Sequence, residues 1–277
     1  MTKKKSRFTR LGPEKKHICV TGHNESEPSE GSKQRGLYIV TKMEQQMAAK
    51  KILAHHVARQ YVQDFDSVLL DAGSTAELIA QELFIQRKYL SVMTINMGAY
   101  AAYTRAIAPK TIERTSKHIQ NIADTGTPGV GLFNENELLL PGGRYVPTYE
   151  ALFGDRALEA IGKFTPNVTI IGVSGLRFDD GVFCHGSEEV QVKRLLWQIQ
   201  TDTRLIAADW TKIGRRDAHP FGLKVKELCV GATTAVVVTS RPPKNANEEH
   251  RREFDKQVKL MKDVGIIVDI TPLKETY

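Results

Sequence analysis

A short apolar run at residues 67–70 ends in a turn of small and hydroxylated residues, 71–75, and an amphipathic helical pattern follows at once. Backbone N–H groups at the start of a helix, with hydroxyl donors beside them, form an anion-binding site. The same turn also has a purely structural explanation, because Gly73 permits a tight turn and Ser74 or Thr75 can cap the helix. From these residues alone, both explanations stay open.

Four further apolar runs end in the same kinds of residue. In an open parallel sheet, ligands bind beyond the carboxyl ends of the strands, so these run ends are candidates for one shared cleft. Backbone amides and lysines suit a phosphate group, and Asp and Asn side chains suit hydroxyl groups. The run ends therefore predict a site for a small phosphorylated polyol. They are residues 94–96, 141–144, 172–175 and 209–214, and the candidate cations are Arg144, Lys193 and Lys212.

Each candidate cation also has an ordinary structural explanation. Lys212 could be a surface lysine, and Arg144 could belong to a salt bridge within a loop. Lys193 lies four residues after Glu189 on a predicted helix, where an exposed ion pair contributes only a few tenths of a kcal/mol. The sequence leaves these alternatives open.

The elements that must position these residues alternate between strands and helices. Unbroken apolar strands alternating with helices are typical of a mostly parallel, Rossmann-like sheet covered on both faces. We expect a helix and then a surface loop over residues 111–134, and we interpret the adjacent His55 and His56 as surface or boundary residues of the first helix. The predicted strands are 67–73, 90–96, 136–143, 167–175, 203–209, 234–240 and 265–270, and the predicted helices are 43–63, 76–86, 149–161, 187–199 and 248–263.

The composition of the 277 residues is that of a soluble globular protein, with 41% hydrophobic and 26% charged residues. No apolar run reaches the ~18 residues of a membrane span, and the Lys-rich start lacks the apolar segment of a signal peptide. The cysteines Cys19, Cys184 and Cys229 are few and scattered, which favours a reducing compartment without disulfides or a zinc site. We therefore expect a cytoplasmic protein without membrane contact, metal or cofactor.

The net charge of +7 is concentrated near the start of the chain. We expect residues 1–38 to form a basic, flexible segment and residues 39–277 to form one α/β domain. Clustered cations of this kind add salt-sensitive, sequence-independent affinity for phosphate backbones. DNA contact is therefore expected only through this segment or through a partner protein.

The ordered set of motifs resembles the effector domain of DeoR-type transcriptional regulators. The motifs are Asp-x-Gly-Ser-Thr at 71–75, Pro-Gly-Gly-Arg-Tyr at 141–145, a segment at 171–194 and Ala-Ala-Asp-Trp-Thr-Lys-Ile-Gly-Arg-Arg at 207–216. The resemblance spans about residues 43–270. It implies a fold similar to that of ribose-5-phosphate isomerase, glucosamine-6-phosphate deaminase and CoA-transferases. It also implies a phosphorylated sugar or other small phosphorylated metabolite as ligand, and a homo-oligomer.

By position, the resemblance implies a set of ligand-binding residues. Residues of the first turn would cradle the ligand, and residues from the other run ends would line the same cleft. The turn residues are Asp71, Gly73, Ser74 and Thr75, and the others are Asn96, Gly143, Glu188, Lys193, Asp209 and Lys212, together with Arg144 and Ser174 from the run ends.

Two features depart from the family pattern. DeoR-type regulators place a winged helix-turn-helix before this domain, whereas the residues before 43 are too few and too rich in Ser, Glu and Gly for three helices. We therefore expect an effector domain without its DNA-reading module. The segment at 105–137 is also longer than the usual connection.

The choice between sensor and enzyme depends on a catalytic base. The related isomerases remove a proton next to a carbonyl group, which requires a carboxylate at a set position. This chain has Ser174 and Gly175 where ribose-phosphate isomerases carry their acidic residues. A sensor without catalytic residues is therefore the leading hypothesis. The alternative is a sugar-phosphate isomerase with Glu188 or Glu189 as base and Lys212 as phosphate anchor.

Overall fold

A seven-stranded parallel sheet runs through the centre of the protein. The computed structural model describes residues 44–106, 136–222 and 224–271, so the predicted basic segment at 1–38 and the predicted helix and loop at 111–134 lie outside the described residues. The strands within the described residues are β1 (Ser67–Leu70), β2 (Ser91–Thr94), β3 (Glu137–Leu139), β4 (Arg144–Val146), β5 (Ala151–Phe153), β6 (Val168–Gly172), β7 (Gly175–Arg177), β8 (Gly181–Cys184), β9 (Thr201–Ala208), β10 (His219–Gly222), β11 (Ala232–Ser240) and β12 (Ile267–Thr271).

The order of the large sheet is β3-β2-β1-β6-β9-β11-β12, and every neighbouring pair is parallel. The carboxyl ends of β1, β6 and β9 therefore lie side by side. The helices are α1 (Met47–Gln60), α2 (Ser74–Gln86), α3 (described over residues 97–106), α4 (Asp155–Gly162), α5 (Glu189–Gln198) and α6 (Glu248–Asp263).

The sheet divides the core into two layers. Successive side chains of a strand point to opposite faces, so an unbroken apolar strand contributes to both layers. Strand β11 shows this directly, because Val236 and Val238 pack with α1 and α2 whereas Val237 packs with α5 and α6. All three valines are fully buried. This two-sided burial explains why the strands read as continuous apolar runs.

The predicted Rossmann-like α/β fold is confirmed, and each of the seven predicted strands corresponds to one strand of the large sheet. The bounds predicted for α6, 248–263, also match. The helix predicted over 149–161 is wrong in its first half. Residues there form a short 3₁₀ turn, Pro147–Tyr149, and then β5. Gly154, with φ 106°, breaks the chain direction before α4 begins.

Two small antiparallel sheets were not predicted. One pairs β4 with β5, and the other has the order β10-β8-β7. Residues of these small sheets lie close to the carboxyl ends of the large sheet. Cys184 of β8 and Tyr149 of the turn before β5 line the same cleft as residues that follow β1 and β6. These short strands therefore help to shape the cleft described below.

Side-chain contacts connect the C-terminal part of α1 to β12. The Asp269 carboxylate on β12 lies 2.6 Å from His56 Nε2 and accepts a hydrogen bond of 2.7 Å from Tyr61 Oη. Burial raises the pKa of Tyr61, and the neighbouring Asp269 raises it further. His55 Nδ1 lies 3.0 Å from Glu82 Oε2 on α2, so both histidines are partly buried boundary residues, as expected. Within the described ranges, no helix has the length and apolarity that crossing a membrane requires.

Candidate ligand-binding cleft

A cleft opens where the carboxyl ends of β1, β6 and β9 meet the N-terminus of α2. Its volume is about 620 Å³ when it is counted out to the open mouth. The cleft thus lies at the position where open parallel sheets bind ligands. It is lined by Lys50, Ala72, Gly73, Ser74, Thr75, Tyr149, Gly172, Val173, Ser174, Cys184, His185, Glu189, Lys193 and Lys212.

The floor of the cleft is a buried ion pair between Asp71 and Lys193. Asp71 accepts hydrogen bonds from Lys193 Nζ and from the backbone N–H groups of Ala72 (2.7 Å) and Gly172 (2.9 Å). Lys193 Nζ also donates to the Gly172 carbonyl at 2.8 Å. Burial opposes the charge of Lys193, but Asp71 and then Glu189 raise the pKa of the lysine above its ordinary value. The pair joins β1, β6 and α5.

The helical ion pair considered for Lys193 is present but secondary. Its Nζ lies 3.9 Å from Glu189 Oε1, whereas its contact with Asp71 is much shorter. The side chain of Lys193 is 4% exposed, so it is not the solvated surface residue that the alternative assumed.

The turn before α2 presents backbone and hydroxyl donors to the cleft. Gly73 is the N-cap residue, with φ 102° and ψ 168°, and a Cβ there would meet nothing within 4 Å. Glycine is therefore required by the backbone conformation and not by lack of space. The expectation that Ser74 or Thr75 caps the helix is wrong, because both lie in its first turn and line the cleft.

Lys50 of α1 reaches the same turn, although no sequence motif included it. It is 2% exposed, and its Nζ donates a hydrogen bond of 3.0 Å to Ser74 Oγ. Burial lowers its pKa to about 8; Asp209 acts in the opposite direction, and Lys212 lowers the pKa further. Lys50 is therefore a buried cation whose charge is disfavoured by its surroundings.

Lys212 lines the same end of the cleft and is only 7% exposed, so the surface-lysine alternative is wrong. It ends a short 3₁₀ turn, Trp210–Lys212, which Asp209 caps by accepting hydrogen bonds from the N–H (3.1 Å) and hydroxyl of Thr211. Among the described residues, no hydrogen bond or ion pair involves the Lys212 ammonium. Asp209 itself is buried below the surface of the cleft.

Asn96 supports the cleft from behind. Its side-chain amide donates to the Gly73 carbonyl at 3.1 Å, and its Oδ1 accepts from the N–H groups of Gly98 (2.8 Å) and Ala99 (3.3 Å). Asn96 therefore caps α3 and holds the turn before α2. Ser174 does line the cleft, and its hydroxyl donates to the Phe183 carbonyl at 3.1 Å.

Six residues expected at the site do not line this cleft. Asp71, Asn96 and Asp209 are buried beside it, and the other three are Gly143, Arg144 and Glu188. Arg144 and Glu188 have side chains that are 67% and 42% exposed, and they lie 3.4 Å apart in a surface salt bridge. The loop salt bridge considered for Arg144 is therefore what the structure shows. A Cβ at Gly143 would lie 2.6 Å from the Phe153 carbonyl oxygen, so this glycine allows the chain to pack against β5.

The lining also contains residues that the sequence did not single out. Tyr149, Cys184 and His185 come from the two antiparallel sheets and their turns, which were not predicted. Burial, followed by the charge of Glu189, raises the pKa of Cys184 to about 12, so its thiol is neutral and a poor nucleophile. Glu189 Oε2 accepts a hydrogen bond of 3.0 Å from the Gly186 N–H.

The lining of the cleft is mixed in chemistry. It contains three lysines and a helix N-terminus, and also the Tyr149 and Glu189 side chains. Such a lining can hold an anion and hydroxyl groups. The residues that the structure describes contain no group of three or more His, Cys, Asp or Glu side chains suited to a metal ion.

Comparison with known families agrees with the motifs. Residues 131–227 match the model of the DeoR C terminal sensor domain. This match includes the Pro-Gly-Gly-Arg-Tyr motif, β6, α5 and Lys212. Residues 131–227 are thus similar to a DeoR-type sensor domain, in agreement with the family that the order of the motifs indicated.

One curated relative is described as an aga operon transcriptional repressor of Escherichia coli O157:H7. It is 22% identical over 162 residues, which cover 58% of this chain and 49% of the relative. The chain therefore spans about half the length of that protein.

Solved structures share the α/β architecture only at low similarity. A sor operon regulator from Shigella flexneri matches over 83% of this chain and 85% of its own, with 7% identity and a TM-score of 0.34. Ribose 5-phosphate isomerase from Plasmodium falciparum matches over 59% of this chain and 51% of its own, with 12% identity and a TM-score of 0.33. These scores are too low to bear on function.

Proposed function

We propose that the cleft binds a small phosphorylated sugar and that the chain acts as the cytoplasmic sensor part of a DeoR-type transcriptional repressor. The observation that carries the proposal is Lys212. It is a buried cation that lines the same cleft as the N-terminus of α2, and no side chain among the described residues neutralises its ammonium. A buried charge of this kind is costly unless a partner of opposite charge is bound.

The donors around Lys212 suit a phosphate group. The first N–H groups of a helix lack partners within the helix and point toward its N-terminal end, where the helix dipole favours negative charge. Ser74 and Thr75, in the first turn of α2, add hydroxyl groups to the same cleft. A phosphate there would accept hydrogen bonds from α2 and face the Lys212 ammonium.

Other residues of the lining suit the rest of a sugar. Tyr149 offers a hydroxyl group, and Glu189 offers a carboxylate that can accept hydrogen bonds from sugar hydroxyls. Below them, Asp71 and Lys193 hold the strand ends in place through their buried ion pair. This division of roles supports a phosphorylated sugar over a simple anion.

A thermal-shift panel of pentose and hexose phosphates tests the proposal, with each free sugar as its matched control. Ligands that bind the folded state raise the melting temperature by mass action. We expect at least one sugar phosphate to stabilise the full chain while its free sugar does not. Equal shifts for a phosphate and its free sugar, or no shift with any member, would contradict the proposed ligand.

A homo-oligomer and contact with DNA belong to the same proposal. The relative with which the chain aligns is named a transcriptional repressor, and the alignment covers about half of that relative. We expect the full chain to elute as an oligomer in light-scattering chromatography. A monomer at micromolar concentration, with and without a stabilising sugar phosphate, would contradict this part.

An isomerase remains the second candidate, and Glu189 is the observation that favours it. Of the two carboxylates considered as base, Glu189 lines the cleft whereas Glu188 pairs with Arg144 on the surface. The test is solvent deuterium uptake at C1 or C2 of a bound sugar phosphate. The sensor proposal predicts none, and uptake that Glu189→Gln abolishes but Glu188→Gln preserves would establish catalysis.

A further inference from the structure

We propose that a second copy of this chain binds at the edge of the large sheet opposite the cleft, and that the stacked rings of Phe65 and Tyr89 form the centre of that surface. We call these two rings the aromatic patch. The existence of a homo-oligomer belongs to the proposed function, on which this surface depends.

The aromatic patch lies at the amino edge of the sheet. Phe65 precedes β1 and Tyr89 precedes β2, and these strands are parallel neighbours, so both loops lie at the edge away from the cleft. The loops are connected, since the Phe65 N–H donates to the Lys88 carbonyl (3.2 Å) and the Lys88 N–H donates to Asp64 Oδ1 (3.0 Å). A copy bound at the patch would therefore not cover the carboxyl ends of the strands.

Large apolar side chains at this edge are exposed in the single chain. Phe65 is 74% and Tyr89 is 52% exposed, and their rings stack with centroids 4.7 Å apart and planes 12° apart. Ile85, in the last turn of α2, is 71% exposed. Because α2 begins at the carboxyl edge and leads to the start of β2, its last turn lies at the amino edge as well. The three side chains therefore form an apolar surface at one edge of the sheet.

The backbone at both aromatic residues is in the left-handed region, with φ 73° at Phe65 and φ 60° at Tyr89. This conformation costs free energy for a bulky side chain, whereas glycine or asparagine adopts it more readily. The single chain gains little in return, because most of Phe65 and half of Tyr89 remain in contact with water. Strained residues of this kind are typical of binding surfaces, where a partner supplies the missing burial.

The size of the apolar surface suits the centre of an interface between two proteins. Aromatic side chains bury about 150–250 Å² each, so the exposed parts of Phe65, Tyr89 and Ile85 amount to roughly 300–400 Å². A stable complex buries about 800 Å² on each partner, with an apolar centre and a polar rim. The three side chains would supply about half of that area, and the charged residues around them can supply the rest.

The charges around the patch indicate a second copy as the partner. A rim with both signs of charge can pair with an identical rim, because each copy supplies the partners that the other needs. A nucleic acid or an anionic membrane would instead favour a surface of one sign. The basic residues of this rim are Arg59, Arg87 and Lys88, and the acidic residues are Asp64, Asp66 and Glu137.

Sedimentation velocity of the full chain over a dilution series tests this surface. The double variant Phe65→Asn with Tyr89→Asn removes both rings, and asparagine tolerates the left-handed region. We expect the dissociation constant of self-association to rise about a hundredfold or more, as for the loss of two central aromatic contacts. The variant monomer should unfold in urea at the same concentration as the parent monomer or at a higher one.

Ile85→Lys tests the same surface without a change in either loop. Lysine is a good helix former and the position is exposed, so the variant should fold and should weaken self-association about tenfold or more. Tyr145→Asn is the matched control. Tyr145 is 48% exposed on β4, which pairs with β5 beyond the carboxyl end of β2, and its loss should leave self-association at the parent value.

Three results would overturn the aromatic patch as the surface for a second copy. They are parent-like self-association in both patch variants, an equal loss in Tyr145→Asn, and a parent that is monomeric at every concentration. The first result removes this surface but keeps the proposed oligomer, whereas the last contradicts both. A monomeric parent that a sugar phosphate stabilises would still keep the proposed ligand. A monomeric parent that the double variant destabilises would assign the rings to contacts within the chain.

Discussion

The floor of the cleft and its α2 end each contain a buried lysine, but the two lysines have opposite surroundings. On the floor, Lys193 contacts the Asp71 carboxylate, which raises the pKa of the lysine. At the α2 end, Lys50 contacts a neutral hydroxyl, and burial lowers its pKa to about 8. The comparison separates a lysine whose surroundings favour its charge from one whose surroundings oppose it.

Breaking the floor pair should have the largest effect. Lys193→Met leaves the 1% exposed Asp71 as a buried charge without its cation, which typically costs about 3–5 kcal/mol of unfolding free energy. Urea denaturation measures this loss. The double variant Asp71→Asn with Lys193→Met should recover most of the lost unfolding free energy. If Lys193→Met alone is as stable as the parent, the ion pair does not stabilise the fold.

The pH dependence of stability should distinguish the two lysines next. The pKa of Lys50 is about 8 in the folded protein and 10.5 ordinarily, so the unfolded chain binds more protons between these values and stability rises with pH there. At about 1.4 kcal/mol for each pH unit, this contribution is about 3 kcal/mol.

Lys193 should change the stability with pH in the opposite direction. Its raised pKa gives stability that is fully present below pH 10.5 and is lost only as the pH rises through its folded value. Subtracting the stability curve of Lys50→Met from that of the parent, by urea denaturation from pH 7 to 10.5, should isolate the rise. A flat difference would show that Lys50 is not held in a deprotonating environment.

Lys212→Met should weaken binding more than it weakens the fold. Its ammonium has no partner among the described residues, so its removal leaves no buried carboxylate unpaired there. We expect calorimetry to show about tenfold or more lower affinity for a sugar phosphate and little change for the free sugar. Lys226→Met, at an exposed position, is the control. Equal losses for both ligands would assign Lys212 a structural role.

Deleting residues 1–38 should have the smallest effect on the cleft. This segment has no sustained hydrophobic period, and it contains none of the cleft lysines. Sugar-phosphate affinity should stay at the parent value, while salt-sensitive retention on DNA should disappear with the clustered cations. Sequence-specific DNA binding by the shortened chain would contradict the expectation that the segment supplies the DNA contact.

The large sheet and part of the candidate site could be predicted from the sequence. Its seven strands are buried on both faces, so each one reads as an unbroken apolar run with little ambiguity. The ends of those runs then located the turn before α2, Ser174 and Lys212, because parallel strands place their carboxyl ends at one edge.

The remaining site residues depend on tertiary packing. Lys50 and Lys51 are adjacent lysines of one helix, and only the packing of α1 on α2 and the sheet decides which one is buried. The sequence also does not show the direction in which a loop leaves a strand. For this reason Arg144 and Glu188 were expected in the cleft but lie on the surface. Tyr149, Cys184 and His185 depend on strands of three or four residues, too short to show a period.

The attachment of α1 to the far end of the chain has a consequence for synthesis. Its apolar face packs against β9, β11 and β12, and its Tyr61 contacts Asp269, 208 residues later. At roughly 5–20 residues per second, the ribosome completes α1 about ten seconds or more before β11 exists. During that interval Leu53 and Val57, fully buried in the finished protein, lack their partners. The nascent chain therefore exposes the apolar face of α1, which chaperones can bind until β11 and β12 emerge.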